Sequence, residues 1–162
     1  EIVGSIISQQ LSTKAADTIY KRFLALFGGK FPIPSKIIAT EDEKIRECGI
    51  SYSKIKYIKG VAEAVENGTL DLTRLPSMSD EDVIEELVKL KGIGRWTAEM
   101  LLMFSLNRED IFSMGDLGLR NAIAKLYNVD RDDLKAIERI AEKWKPYRTH
   151  ASRYLWKSLD KI

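Results

Sequence analysis

A turn with two glycines, placed between two apolar helical runs, constrains this chain more than any other feature. Residues 90–98 read LKGIGRWTA. Gly92 and Gly94 let the backbone of the turn lie bare against a ligand. A helix that starts near Arg95 would aim its first free N–H groups at the same place, as in protein sites that bind phosphate. The sequence therefore predicts a helix-hairpin-helix at about residues 80–105, with a turn that cradles a phosphate.

A single acid, Asp116 in the run FSMGD, follows this turn along the chain. An aspartate just before LGLRNAI is most simply the N-cap of a helix. That role is compatible with catalysis, because a helix N-terminus favours an ionised carboxylate. Such a carboxylate beside a bound DNA backbone suggests chemistry on a nucleotide, in which it can stabilise a cation that forms as a bond breaks. At about 4 Å and an effective dielectric of about 20, the charge pair is worth about 4 kcal/mol, or about a thousandfold in rate.

Composition limits how the chain could bind a nucleic acid. The 162 residues suffice for one domain or two closely packed subdomains, and 26 basic against 24 acidic residues leave a net charge of +2. Binding to DNA therefore needs a local positive footprint instead of bulk charge. Cys48 is the only cysteine, which excludes an internal disulfide and a four-cysteine iron-sulfur or zinc site, and predicts a reducing compartment. No run reaches the roughly 20 apolar residues of a membrane span.

Helical periodicity and capping residues predict helices along nearly the whole chain. Ser12, Ser79 and Asp116 stand where N-caps are expected, and Thr40 with Glu43 has the spacing of a capping box. Residues 31–34 are predicted to form a connector. In the last third of the chain, helices are expected at about 117–126, 132–143 and 148–159.

Five runs along the chain share a pattern with a known family. They are SIISQQLS at residues 5–12, GISYSKIKYIKGVA at 49–62, LKGIGRWTA, the FSMGD acid, and WKPYRTHASRYLW near the end. In this order they resemble the helix-hairpin-helix DNA glycosylases, and within them the 3-methyladenine DNA glycosylase II branch. The resemblance implies an all-α fold of two helical subdomains, 1–108 and 109–162, with the active-site cleft between them. In such enzymes an upstream segment packs on the C-terminal helices, and we expect it to complete the second subdomain.

The same resemblance implies a monofunctional enzyme of base excision repair. It would flip out alkylated bases of the 3-methyladenine or 7-methylguanine type and hydrolyse the N-glycosidic bond, with Asp116 as the catalytic acid. The family often has a second acid just before this one, where the present chain has Gly115. Relatives that also cleave the DNA backbone carry a nucleophilic lysine directly after the hairpin turn. Trp96 occupies that place here, so no lyase activity is expected.

Aromatic side chains are expected to select the base. A base methylated on a ring nitrogen is cationic and is attracted to the face of a tryptophan. By resemblance, Trp96 and Trp156 occupy the places of pocket tryptophans, and Met100 replaces a third pocket aromatic. From the residues alone, both tryptophans could equally be core aromatics. Trp144 and Tyr154 are assigned to the core.

A flipped base leaves a gap in the stack, and Leu11 is expected to fill it. Leu11 lies in the turn of the run QQLS and resembles the wedge of the family, because an apolar side chain can replace base stacking. The alternative is a loop leucine tucked into the core. Gln9 and Gln10 could contact the orphaned partner base or cap helix ends.

Backbone groups of the hairpin are expected to hold the DNA strand. The predicted phosphate contacts are the amides of Gly92, Gly94 and Trp96, helped by Arg95 or Thr97. In similar hairpins a monovalent cation, Na⁺ or K⁺, is held by carbonyls and bridges to a phosphate when DNA is bound. Here those carbonyls belong to Val88, Leu90 and Ile93. Lys54, Lys56 and Arg120 are expected either to extend the positive rim or to be solvated surface charges.

The resemblance also predicts the partners. We expect double-stranded DNA with damaged bases as substrate, and neither a required cofactor nor an iron-sulfur cluster. We also expect a monomer with no membrane contact and no obligatory protein partner, in the cytoplasm or nucleoid of a prokaryote or the nucleus of a eukaryote. His150, the sole histidine, has no partner signature and is expected to be neither a metal ligand nor a general base. The alternative function is a non-enzymatic helix-hairpin-helix DNA-binding module, which would need the turn but neither Asp116 nor paired tryptophans.

Overall fold

Ten α-helices make up nearly all of the regular structure in this computed structural model, which describes residues 1–159. They are α1 (Ile2–Ser8), α2 (Thr13–Leu26), α3 (Pro34–Ala39), α4 (Asp42–Glu47), α5 (Tyr52–Glu66), α6 (Asp80–Val88), α7 (Arg95–Phe104), α8 (Leu117–Tyr127), α9 (Leu134–Glu142) and α10 (Arg148–Leu159). A short 3₁₀ turn covers Leu75–Ser77, and the described residues contain no strand. The all-α prediction is confirmed. None of the described helices has the length and apolar character to cross a bilayer.

The chain divides into two compact units at the end of the hairpin turn. The first is Glu1–Gly94 and the second begins at Arg95. The division therefore places α7 in the second unit, whereas the subdomain boundary expected from the sequence lies after residue 108. The cleft expected between subdomains stays a prediction.

The first unit is built around α5, which packs against α1, α3 and α4. Its core consists of fully buried side chains that each helix presents on one face, as the helical period requires, among them Ile6, Phe23, Ile45, Ile55 and Ile58. Each large apolar side chain buried in this way contributes about 1.5–3 kcal/mol. The loop after α1 and the hairpin turn both belong to this unit, so the same core supports both segments.

Two of the capping predictions in the first unit are confirmed and one is wrong. The hydroxyls of Ser12 and Ser79 accept backbone N–H groups three residues further on. By contrast, Thr40 ends α3, and its hydroxyl donates to the carbonyl of Lys36 at 2.7 Å. The next helix starts from Glu41, which makes no capping bond. The local hydroxyl–carbonyl bond replaces the predicted capping box.

The second unit has a core of its own, formed by α8, α9 and α10. Leu119, Ile123, Ile137 and Leu155 are buried there, and Trp144 and Trp156 pack against them partly buried. The core assignment of Tyr154 is wrong, because its side chain is 76% exposed. It is adjacent to Leu155 on α10 but lies outside the buried face of that helix.

Candidate active site

Asp116 is a buried carboxylate at the start of α8. Its side chain is only 8% exposed, and its Oδ1 accepts the backbone N–H of Leu119 at 2.8 Å. This is the N-cap predicted from the sequence. The capping bond fixes the carboxylate at the positive end of the helix.

Both predicted pocket tryptophans donate hydrogen bonds to this carboxylate. The indole Nε1 of Trp96 donates to Oδ2 of Asp116 at 2.7 Å, and that of Trp156 donates to Oδ1 at 3.1 Å. An indole N–H can only donate, so both carboxylate oxygens serve as acceptors. Together with the capping bond, three donors fix the orientation of the acid before any substrate arrives.

The rings of these tryptophans differ in exposure. Trp96 is 46% exposed, so it is not the core aromatic of the alternative interpretation. Trp156 packs partly buried against the core of the second unit, and so combines a structural contact with its bond to Asp116. Met100 lies one turn after Trp96 on α7 and is partly buried. Nearly half of the Trp96 side chain is therefore accessible to solvent beside the acid.

Phe104 is an aromatic residue near this site that the sequence reasoning missed. Its half-exposed ring lies 6.1 Å from the ring of Trp156, centroid to centroid, and the guanidinium carbon of Arg153 lies 5.7 Å from its centroid. The signal was available, because Trp96, Met100 and Phe104 follow one another at four-residue spacing on α7.

Gly118 was also missed, and it matters because of what a side chain would meet there. A Cβ at this position would lie 3.0 Å from Oδ1 of Asp116 and 3.3 Å from Cδ1 of Trp156. Such contacts would force one of the two groups to move. The glycine therefore makes room for the bond between the acid and Trp156, which no local sequence signal reveals.

The loop that leads to Asp116 is anchored by the start of α10. The hydroxyl of Thr149 donates to the carbonyl of Arg108 and accepts the N–H of Ile111. Arg148 forms a two-pronged pair with Asp110, with Nε to Oδ1 at 2.7 Å and Nη2 to Oδ2 at 3.0 Å. Burial alone would raise the pKa of Asp110, but hydrogen bonds from Arg148 hold that pKa below its ordinary value.

The glycines of the hairpin turn, in the first unit, are required for two different reasons. Gly92 has a φ of +89°, and a Cβ there would collide with the ring of Tyr57. Gly94 has no such φ, and a Cβ there would meet nothing within 4 Å. The first glycine is therefore needed for the fold, while the second leaves an open surface where a ligand could approach. The carbonyl of Leu90, one of the predicted cation ligands, accepts the N–H of Ile93 at 3.1 Å.

Leu11 lies on the surface of the first unit. Its side chain is 39% exposed, so it is not tucked into the core. The residue before it, Gln10, has a φ of +57°, which L side chains rarely adopt and which often marks functional loops. The exposed leucine at the tip of a strained turn fits the predicted wedge.

Two side chains tie the turn of Leu11 to the rest of the first unit. Lys54 donates from Nζ to the carbonyls of Ile7 at 2.8 Å and Gln9 at 2.7 Å, and desolvation by burial lowers its pKa. Lys54 is therefore an anchor for this turn, and its part in a positive rim stays a prediction. The side-chain amide of Gln9 donates to the carbonyl of Gly92 at 2.8 Å, which joins the turn to the hairpin. A cavity of about 600 Å³ opens beside this bond, lined by Gln9, Gln10, Ser51, Ser53, Lys54, Tyr57 and the hairpin turn.

The remaining residues predicted to contact DNA differ in their exposure and in their ion pairs. Thr97 is only 4% exposed, so its side chain offers little surface to a phosphate, and its DNA contact stays a prediction. The side chain of Arg95 is largely exposed and pairs with Glu99. Arg120 pairs with Asp132 at 3.4 Å, and Lys56 is exposed.

No metal-binding cluster of three or more His, Cys, Asp or Glu side chains occurs within residues 1–159. His150 lies 3.8 Å from a carboxylate oxygen of Glu109 at the surface, and Cys48 is a buried free thiol.

Known proteins resemble this chain over nearly its whole length. The model of the HhH-GPD superfamily of base excision DNA repair proteins matches residues 3–146. DNA-3-methyladenine glycosylase 1 of Schizosaccharomyces pombe is 40% identical over 161 residues, which cover 98% of this chain and 71% of that protein.

Two solved structures have the same fold over nearly the whole of this chain. The DNA-3-methyladenine glycosidase of Bacillus halodurans gives a TM-score of 0.87 at 45% identity, over 97% of this chain and 73% of that one. The 3-methyladenine DNA glycosylase of Schizosaccharomyces pombe, solved with abasic DNA, gives 0.86 at 38% identity, over 99% of this chain and 79% of that one. The resemblance inferred from the sequence runs is confirmed.

Proposed function

The chain belongs to the HhH-GPD superfamily of base excision DNA repair proteins, and we propose that it is a monofunctional DNA glycosylase that releases alkylated bases. The observation that carries the proposal is the buried carboxylate of Asp116, held by Leu119, Trp96 and Trp156, with the half-exposed ring of Trp96 beside it. A positioned anion next to an aromatic face suits a cationic base on a sugar that becomes cationic in the reaction.

The reaction breaks the bond between C1′ and the base nitrogen. The electron pair leaves with the base, so that a base methylated on a ring nitrogen departs as a neutral molecule. The sugar becomes an oxocarbenium-like cation, which the carboxylate of Asp116 stabilises. A water oxygen then bonds to C1′ and loses its proton to solvent, which yields a free base and an abasic site. Bases of the 3-methyladenine and 7-methylguanine type are the proposed substrates, because their positive charge already weakens the glycosidic bond.

The product is an abasic site in an intact strand. A lyase needs an amine that attacks C1′ and forms a Schiff base. At the position that would carry it, directly after Arg95, this chain has Trp96, whose N–H is committed to Asp116. We therefore assign no strand cleavage to this enzyme.

Leu11 and the hairpin turn are the proposed DNA-binding features of the first unit. Leu11 enters the stack where the base has left, and the amides of Gly92 and Gly94 approach a phosphate. The carbonyls of Val88, Leu90 and Ile93 would hold Na⁺ or K⁺ next to that phosphate, and the reaction itself requires no cofactor. The proposed partner is duplex DNA with damaged bases, which the protein binds as a monomer. The proposed location is the cytoplasm or nucleoid of a prokaryote or the nucleus of a eukaryote.

A DNA-binding module without activity is the competing function. It would use the hairpin turn but would have no need of a buried acid with three donors. The similarity to proteins named as DNA-3-methyladenine glycosylases also favours an enzyme.

Release of bases from DNA treated with a methylating agent tests the proposal. We expect the protein to release 3-methyladenine or 7-methylguanine, identified by chromatography, and to leave strands that break only after alkali. Unmethylated duplex serves as the control. Binding to DNA without any released base would contradict the proposal, and borohydride trapping of a protein–DNA adduct would contradict its monofunctional part.

A further inference from the structure

A buried pair on the second unit, Glu99 and Ser113, is not explained by substrate binding. Both side chains are buried. The hydroxyl of Ser113 donates to Oε2 of Glu99, and Nε of Arg95 donates to Oε1 at 3.1 Å. A buried carboxylate is costly unless its oxygens are bonded, and an apolar side chain would fill the space more simply. The cost suggests that the pair has a function.

Ser113 stands three residues before the acid, in the loop that delivers it. Its carbonyl accepts the N–H of Asp116 at 3.1 Å. The same residue is thus bonded to α7 through its side chain and to Asp116 through its backbone. The bonds from Thr149 and Arg148 hold the loop further upstream, between Arg108 and Ile111.

We propose that Glu99 is a positioning residue that acts through Ser113 to hold Asp116 against the indole N–H groups of Trp96 and Trp156. Trp96 lies on the same helix as Glu99, so α7 supplies both a donor to the acid and an anchor for the loop that carries it. Catalysis depends on such positioning, because a misplaced group no longer meets the charge that develops at C1′. The inference rests on the proposed function for its activity readout but not for its structural one.

Three substitutions separate the hydrogen bond from other effects. Ser113→Ala removes the donor. Glu99→Met removes the acceptor at similar side-chain length, whereas Glu99→Gln keeps an acceptor for Ser113 and loses the charge that pairs with Arg95. Glu41→Gln is the matched control, because it makes the same chemical change in a surface pair with Lys44 in the first unit.

Two measurements then decide. The first is the single-turnover rate of base release at saturating protein, together with the Kd for duplex DNA. The second is the set of indole ¹H–¹⁵N signals of the three tryptophans, of which Trp144 serves as the internal control. The Trp96 and Trp156 signals report the hydrogen bonds to Asp116 directly. A general loss of stability would not shift them while leaving the Trp144 signal unchanged.

We expect Ser113→Ala and Glu99→Met to slow base release about tenfold, the size expected for one lost hydrogen bond, with Kd changed less than about twofold. The Trp96 indole signal should shift while that of Trp144 does not. The double variant should be no slower than Glu99→Met alone, and Glu99→Gln and Glu41→Gln should stay close to the parent.

Parent-like rates and unshifted Trp96 signals in Ser113→Ala and Glu99→Met would overturn the inference. If Glu99→Met does not fold, Ser113→Ala alone decides. If the parent releases no base at all, the proposed function fails, and the indole signals still decide whether Glu99 positions Asp116.

Discussion

The indole nitrogen of Trp96 lies 2.7 Å from Oδ2 of Asp116, so this tryptophan orients the acid in addition to its proposed stacking on the base. The two roles can be separated, because phenylalanine keeps an aromatic face but has no N–H.

Trp96→Phe should slow single-turnover base release about tenfold, because one charge-assisted hydrogen bond that orients the carboxylate is lost. Trp156→Phe should have a smaller effect, since Oδ1 keeps its bond from Leu119. Trp144→Phe is the control and should leave the rate unchanged. If Trp96→Phe retains the parental rate, the bond has no role in catalysis and stacking alone explains the residue.

Gly118→Ala should reduce activity without reducing stability. Alanine favours a helix over glycine by about 0.5–1 kcal/mol, but its Cβ would crowd Oδ1 of Asp116 and the ring of Trp156. We expect at least about a tenfold loss in the rate of base release, with an unchanged or raised Tm. Gly60→Ala is the matched control, because Gly60 is also helical and a Cβ there meets nothing within 4 Å. Equal activity in the two variants would show that the acid tolerates the added methyl group.

Alanine should lower stability at the first hairpin glycine and weaken DNA binding at the second. Gly92→Ala should destabilise the first unit by more than about 1 kcal/mol, since it forces a φ of +89° on alanine and a clash with Tyr57. Gly94→Ala should leave the Tm unchanged and weaken binding to an abasic duplex, because the new methyl group occupies the surface proposed for a phosphate. Thermal melts and Kd measurements on both variants check this. Unchanged affinity in Gly94→Ala would remove this glycine from the proposed DNA contacts.

Asp110 should make stability depend on acid pH. Because its pKa is held below the unfolded value of about 3.9, the pair with Arg148 contributes stability above that value and loses it as the pH falls through the folded pKa. Asp110→Asn should therefore be less stable than the parent near pH 7, and the difference should shrink as the pH approaches about 3. Urea unfolding across this range measures it. A difference that stays constant or grows on acidification would contradict the assigned role.

The sequence predicted the features that depend on neighbouring residues. The caps at Ser12, Ser79 and Asp116 are decided within three residues, and the helices on either side of the hairpin turn follow from apolar spacing. Thr40 shows the limit of such rules, because its hydroxyl could either accept an N–H of the next helix or donate to a carbonyl of α3, and it donates to Lys36.

The network around the acid was beyond the sequence for a physical reason. Trp96 and Trp156 stand 20 and 40 residues from Asp116, so their bonds depend on how α7, α8 and α10 pack. The family resemblance marked the tryptophans for the pocket but gave no indication that they donate to the acid. The anchoring role of Lys54 was missed for the same reason, because its partners, Ile7 and Gln9, are more than 40 residues away.

The central claim is that the carboxylate of Asp116 drives base release, and Asp116→Asn tests it most directly. Asparagine keeps the size of the side chain and an oxygen for the N–H of Leu119, but it removes the charge and the oxygen that accepts from Trp96. We predict that single-turnover release of methylated bases falls at least about a hundredfold, with Kd for duplex DNA unchanged. Release within about threefold of the parent rate would contradict the account and place the chemistry elsewhere in the chain.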